Sequence, residues 1–354
     1  MYNVILKLLS AIAALFFLAS CSEKSSYVTF SGYAQGGTYT VKANLKGVDV
    51  RPVEIAARID SLLNDIDRSL SGYNKNSILS RFNAGMTVLP DSLFIDIYSK
   101  AYELYDITGG CVDPSSAPLF DMWGFGFSSE NLPSAEKVEA AMAVCGMDRL
   151  RRNMSEVVSE DGTLVPENLL IESGKAPMLN YNAIAQGYSC DVVAGYLYSI
   201  GVKDMMVDIG EIFCDGLNPS GKSWTIGIDR PVDGNNTPGA AIQEIFRVPS
   251  GPHGVVTSGN YRKYYIRDGR KYSHSIDPRT GYPVQHNLLS ATVIASNATV
   301  ADAYATYCMV VGLEESKEFI SSMPGLEACL IYDEDGQMKS WNSDGINNVP
   351  ASAK

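Results

Sequence analysis

Histidine is scarce in this chain, with only His253, His274 and His286 present. Any histidine inside a dense polar segment is therefore informative, because imidazole alone titrates unperturbed near neutrality. Basic charge is also in deficit: Lys and Arg total 28 against 40 Asp and Glu, leaving a net charge of −12. That balance excludes nucleic acid as a partner, since phosphate backbones demand basic patches. A phosphate-bearing ligand would need a cation or focused local charge to offset repulsion. No C-x-x-C pair occurs among the cysteines, and Cys111, Cys145, Cys190, Cys214, Cys308 and Cys329 stand in apolar surroundings. A zinc site or a disulfide scaffold is thereby disfavoured, and buried free thiols are expected. Internal repeats, low-complexity tracts and an inter-domain linker are absent as well.

The longest apolar run, Leu8 to Phe17, is too short to span a bilayer comfortably and follows Lys7. It leads into Leu18-Ala19-Ser20-Cys21, which resembles the bacterial lipobox. Residues 1–20 are therefore expected to be a lipoprotein signal peptide, Cys21 the lipidated residue, and 21–26 a short tether. An exported lipoprotein, anchored to a membrane and facing the periplasm, follows from that reading. Residues 27–350 are taken as one structural unit.

The chain is organised around Lys271 to Thr306. Its first half, Lys271-Tyr272-Ser273-His274-Ser275-Ile276-Asp277-Pro278-Arg279-Thr280-Gly281, sets a histidine, an aspartate, an arginine and hydroxyls around a turn fixed by Pro278 and Gly281. The second half predicts a helix after the apolar strand Ala291–Ala295. Asp302 and Thr306, four apart, project from one helical face. Such a pair is either a surface pair or, beside that polar turn, two hard oxygen ligands for Mg²⁺.

Strands are predicted at Tyr27–Phe30 and Thr38–Lys42, joined through Ala34-Gln35-Gly36-Gly37. That joint is either a plain glycine hairpin or a place where backbone approaches a ligand. Apolar spacing at Ile55, Ile59, Leu62, Leu63, Ile66 and Leu70 predicts a helix over 53–70, ending in the polar segment Ser69–Ser77 that includes Tyr73. Asp91 caps a second predicted helix, which runs to Ile107 and is closed by Gly109-Gly110. The aromatic stretch Pro118 to Gly126 after Cys111-Val112-Asp113 is core or pocket lining, and 127–165 reads as an excursion with one helix, Ser134 to Cys145. A helix over 183–200 follows Leu179-Asn180-Tyr181-Asn182, and its N-terminus is suited to anions. It leads to the strand pattern Met205–Gly210, then to a strand at Trp224–Ile228. Asp268-Gly269 and Asp335-Gly336 signal two-residue hairpins. Helices grouped among antiparallel hairpins imply an α+β fold with mixed or antiparallel sheets, not a doubly wound one.

Seven stretches in order resemble motifs of the ApbE family, the FAD:protein FMN transferases. They are Gln35-Gly36-Gly37, the segment around Tyr73, Gly110 to Gly126, Asn180 to Asp191, Thr257 to Tyr261, Tyr272 to Pro283, and Ala301 to Thr306. The resemblance implies an ApbE-like, T-fold-related architecture and an enzyme that cleaves FAD, releases AMP and joins FMN to a threonine or serine of an acceptor protein. It implies FAD contacts from Gln35, Tyr73, Cys111, Val112, Asp113, Asn180, Gln186, Ser258 and His274. It also implies Mg²⁺ held by Asp302, Thr306 and the main-chain carbonyl of Ala183. His274 and Asp302 are the candidate catalytic residues, with His274 either the base or a structural hydrogen bonder. Two alternatives share the site: Mg²⁺-dependent hydrolysis of FAD, and flavin binding without catalysis. The family's aspartate stands here as Asn180, its lysine as Gln186, and its M-G-T as Gln35-Gly36-Gly37.

Overall fold

A computed structural model describes residues 26–125, 132–169, 178–232, 234–235, 237, 239–261, 264–267, 270–273 and 275–348. In chain order the strands are β1 Tyr27–Ala34, β2 Gly37–Asn44, β3 Met205–Asp208, β4 Ile212–Asp215, β5 Thr225–Asp229, β6 Ile242–Arg247, β7 His253–Gly259, β8 Tyr264–Arg267, β9 Arg270–Ser273, β10 Ile276–Asp277, β11 Tyr282–Pro283, β12 Leu288–Ala295, β13 Glu327–Glu334, β14 Gln337–Asn342 and β15 Asn347–Asn348. The helices are α1 Pro52–Leu70, α2 Ile78–Asn83, α3 Ser92–Ile107, α4 Ala117–Met122, α5 Ala135–Met142, α6 Ala185–Ser199, α7 Ala298–Val311 and α8 Leu313–Ser322.

Eight strands form one antiparallel sheet in the order β1-β2-β3-β4-β7-β12-β13-β14. Side chains alternate between its faces, so neighbours in sequence enter different cores. Val256, Val293, Ala328 and Leu330 join the large core with Ile55, Ile59, Phe94, Ile97, Val193 and Leu197 of the helices. Val255, Ile294, Cys329 and Ile331 face the other way, against Trp224, Ile226, Ile228 and Phe246 of the small β15-β6-β5 sheet. Burial on both faces explains why β12 is apolar without a polar alternation. A third, smaller core joins Leu119 and Trp123 to Val138, Cys145 and Ile276. The α+β expectation holds.

Most elements stand where the sequence puts them, with ends moved by one to a few residues. Pro52 at the first helical position and a capping box between Arg51 and Glu54 start α1. Asp91 Oδ1 accepts the Phe94 N–H at 2.8 Å to start α3. The Asp335-Gly336 hairpin closes as expected, both residues having positive φ (54° and 77°); Asp268-Gly269 lies outside the described residues, and the strands flanking it pair at Arg267↔Arg270. Gln35 and Gly36 likewise turn the β1–β2 hairpin at φ 52° and 81°. The helix capped by Ser134 is shorter than expected, running from Ala135 to Met142. The excursion there also holds single 3₁₀ turns at Met147–Arg149 and Met154–Glu156. Helix α2 is an unexpected element, capped by Ser77 Oγ accepting from Ser80 N–H at 2.9 Å. All six cysteines from Cys111 onward are buried free thiols.

Candidate active site

Two helices meet at the centre of the site. Gly187 is the third residue of α6, and its N–H has no acceptor within the helix. Asp302, on the second turn of α7, accepts that N–H through Oδ2 at 3.0 Å. Asp191 of α6 returns the favour, with Oδ1 accepting from Ala298 N–H at 2.9 Å and Oδ2 from Thr299 N–H at 2.8 Å. Each helix thus supplies a carboxylate to the positive end of the other. This contact requires glycine: a Cβ on Gly187 would lie 2.2 Å from the Ala298 carbonyl oxygen. On the sheet side, a Cβ on Gly254 would lie 2.3 Å from Ala298 Cα. The start of α7 is therefore wedged between α6 and β7, and Asp302 is placed by backbone on both sides.

Asp302 is 5% exposed, and burial pushes its carboxyl up to about 8. The Gly187 N–H pulls the other way, while the Asp191 charge adds to the rise. A buried carboxylate with a single hydrogen bond among the described residues is costly unless a cation joins it. Thr306 follows one turn later on the same face, half-buried. No backbone N–H among the described residues donates to the Ala183 carbonyl, one residue before the Ile184 cap of α6. A carboxylate, a hydroxyl and a carbonyl are hard oxygen donors, the types that suit Mg²⁺. Among the described residues no group of three or more His, Cys, Asp or Glu can hold a metal ion. The expected set needs only one such residue.

Directly before Ala183 the chain lines a cleft that is open to solvent. Its walls are Gly72 and Tyr73, Leu79 and Asn83 of α2, the α4 region with Phe120 and Asp121, Phe125, and Met178 to Asn182. Asn83 holds the last wall by both backbone groups of Leu179, each at 2.8 Å. The Asn180 N–H donates to the Pro114 carbonyl at 2.7 Å. Asn180 Oδ1 accepts the Asn182 N–H at 2.8 Å.

A family model described as the ApbE family matches residues 35–330. The chain belongs to the ApbE family. A Vibrio cholerae protein named FAD:protein FMN transferase is 33% identical over 96% of this chain and 97% of its own length. An Escherichia coli protein of the same name is 31% identical over 97% of each. Among solved structures, the apo form of the flavinyl transferase ApbE of Pseudomonas stutzeri is similar at TM-score 0.75 and 31% identity, over 90% of this chain and 95% of that one. The flavin transferase ApbE of Vibrio cholerae is similar at TM-score 0.73, 31% identity, over 90% and 97% of the two chains.

Against the ApbE motifs, the structure gathers part of the expected set. Tyr73 and Asn180 share the cleft, and Asp302 stands at the α6–α7 contact with Thr306 one turn later on α7. Gln186 lies beside them, its Nε2 donating to the Ile209 carbonyl at 3.4 Å across Gly210. The Gln35 amide, at the β1–β2 hairpin tip, donates to Ser189 Oγ on α6. Cys111 and Val112 are buried in the large core, and burial pushes the Cys111 thiol up to about 11. Contact from these two with a ligand is left to the main chain. Asp113 accepts from Ser115 N–H at 2.8 Å, and burial raises its carboxyl to about 6. Ser258 sits on β7 opposite Ala291 and is not among the residues that line the cleft. His274 and Cys21 lie outside the described residues. The Asp277–Arg279 turn is a paired unit: the Arg279 guanidinium binds Asp277 at 3.0 Å through both Nε and Nη2, and β10 packs on α7.

Sequence reasoning passed over Asn83, Gly187 and Asp191 as working parts. Asn83 has its partner 96 residues away, and the glycine and aspartate gain meaning only when α6 crosses α7.

Proposed function

We propose that this protein transfers FMN from FAD to a threonine or serine hydroxyl of an acceptor protein, releasing AMP, with Mg²⁺ required. The observation that carries the reading is Asp302, a buried carboxyl at the α6–α7 contact with the Thr306 hydroxyl one helical turn away. The names of the full-length relatives support flavin transfer.

In the reaction the acceptor oxygen forms a bond to the FMN phosphorus, and the bond from that phosphorus to the bridging oxygen breaks toward AMP. The hydroxyl's proton goes to a base, for which we assign His274. Bound Mg²⁺ would neutralise the charge of the pyrophosphate and of the departing phosphate. Asp302, Thr306 and the Ala183 carbonyl would hold it. Tyr73, Phe120 and Phe125 line the cleft, aromatic side chains of a kind that stacks on flat ring systems.

We further propose export as a lipoprotein, with Cys21 the lipid anchor and the catalytic unit facing the periplasm. Leu18-Ala19-Ser20-Cys21 supports this, and no helix among the described residues is long and apolar enough to cross a membrane. Incubating residues 22–354 with FAD, Mg²⁺ and a candidate acceptor tests the activity: AMP and a fluorescent acceptor band are expected. AMP without label would mean hydrolysis, and neither product would mean binding alone.

A further inference from the structure

One end of the large sheet is closed by three connections, β2–α1, α6–β3 and β4–β5, and hydrogen bonds lock them together. Ser26, just before β1, is held there: its carbonyl accepts the Leu45 N–H at 2.9 Å and its hydroxyl donates to Asn44 Oδ1. The Asn44 carboxamide donates to Asp204 Oδ2 at 2.8 Å, and Asp204 Oδ1 accepts the Leu217 N–H at 2.9 Å. Each connection presents one exposed lysine: Lys46, Lys203 and Lys222. None of the three has an ion-pair partner among the described residues. Asp49 is exposed here too, but Asp204 is spent as above, and Asp215 accepts the Tyr198 O–H at 2.6 Å and the Gly216 N–H at 2.7 Å. The outward-facing charge is thus lysine in excess, on a protein of net charge −12. Beside the lysines the Leu217 side chain stands 48% exposed, its carbonyl held by the Tyr27 hydroxyl. The catalytic elements lie at the other end: the eight residues of β1 carry the chain roughly 25 Å to the Gln35 turn, which bonds α6 at Ser189.

We infer that this end of the sheet is a second membrane contact, with Lys46, Lys203, Lys222 and Leu217 resting on anionic lipid headgroups and the catalytic end pointing away from the bilayer. The inference rests on the lipoprotein reading above and adds to it an orientation. Cys21 stands five residues before Ser26, a reach of at most ~18 Å, so a lipid on Cys21 keeps this end of the fold nearest the bilayer. Each lysine close to an anionic surface strengthens the attraction about fivefold. Leu217 supplies an apolar group that can enter the headgroup layer. The acidic remainder of the protein is repelled by the same surface, which favours one orientation over the others.

The test uses the full lipidated chain in vesicles of phosphatidylcholine and phosphatidylglycerol that carry a quencher on the headgroup. The six thiols from Cys111 onward are buried, so one introduced cysteine takes a fluorophore. It is placed at Ser220→Cys on the β4–β5 connection or at Tyr33→Cys near the catalytic end, both exposed positions. Quenching at Ser220→Cys is expected to be about threefold or more stronger than at Tyr33→Cys. Combining Lys46→Gln, Lys203→Gln and Lys222→Gln should remove most of that difference while the protein still floats with the vesicles, and a thermal melt checks the variant's fold. Vesicles of phosphatidylcholine alone should have the same effect on the protein with its lysines intact. Equal quenching at the two positions, stronger quenching at Tyr33→Cys, or a difference that survives in phosphatidylcholine or in the folded lysine variant would overturn the inference. A chain with no lipid on Cys21, read by mass spectrometry, would instead remove the anchor reading, and this inference with it.

Discussion

Asp302 is a carboxyl group placed where water barely reaches it, and its N–H partner Gly187 does not repay the burial of the charged form. A divalent cation would. Asp302→Ala is therefore expected to abolish FAD turnover at ordinary Mg²⁺ concentrations, measured as AMP release. Thr306→Ala removes a neutral ligand and should be milder, with partial recovery in excess Mg²⁺. Undiminished turnover of Asp302→Ala would contradict the assignment. For His274, loss of the base predicts that His274→Ala slows AMP release by about 10²–10⁴-fold while FAD still binds. His274→Gln, which can hydrogen-bond but not take a proton, should be as slow. If His274→Gln retains most activity and the acidic limb of the pH profile survives, the base is another group. At this scale the sequence was informative: Asp302 and Thr306 are legible as a helical pair from their spacing alone. Their burial is not, because it depends on β7 and α6 closing over them.

The elements that matter most are α6 and α7, each capping the other's N-terminus with a carboxylate. Gly187→Ala would force a Cβ into the Ala298 carbonyl at 2.2 Å, and neither backbone can yield easily. Destabilisation of about 1–3 kcal/mol or more is expected in denaturant unfolding, with Mg²⁺-dependent turnover falling further than stability alone explains. Unchanged stability would mean that the helices separate freely. The far end of α7 carries a pH-sensitive contact. His286 Nε2–H donates to the Met309 carbonyl at 2.9 Å, and burial lowers the imidazole below its ordinary 6.5. A depressed folded-state pKa means stability is held above the unfolded value and lost on acidification. The melting temperature should fall as pH drops below about 6.5, and less steeply in His286→Gln. Equal acid sensitivity of the two would contradict this. Helix positions were legible from periodicity and caps such as Asp91 and Ser134. Which helices touch was not, since the Gly187–Asp302 bond joins residues 115 apart.

Across the whole molecule, one antiparallel sheet separates the catalytic core from the small β15-β6-β5 layer. The α+β class was readable from hairpin signals, and the β13–β14 turn bears out one of them residue by residue. Strand order was not readable, because β7 and β12 become neighbours only after a long connection, and the aromatic stretch at Phe120 and Phe125 did not declare itself core or cleft. The anchor belongs to this scale too. Cys21→Ser is expected to leave the protein unlipidated, and a mature N-terminus elsewhere than Cys21, read by mass spectrometry, would rule the anchor out. The most direct measurement is the ratio of AMP released to flavin covalently bound to the acceptor, with the unaltered protein, FAD and Mg²⁺. Transfer predicts one AMP for each flavinylated hydroxyl and neither product with Asp302→Ala. AMP accumulating without matching acceptor label would contradict it.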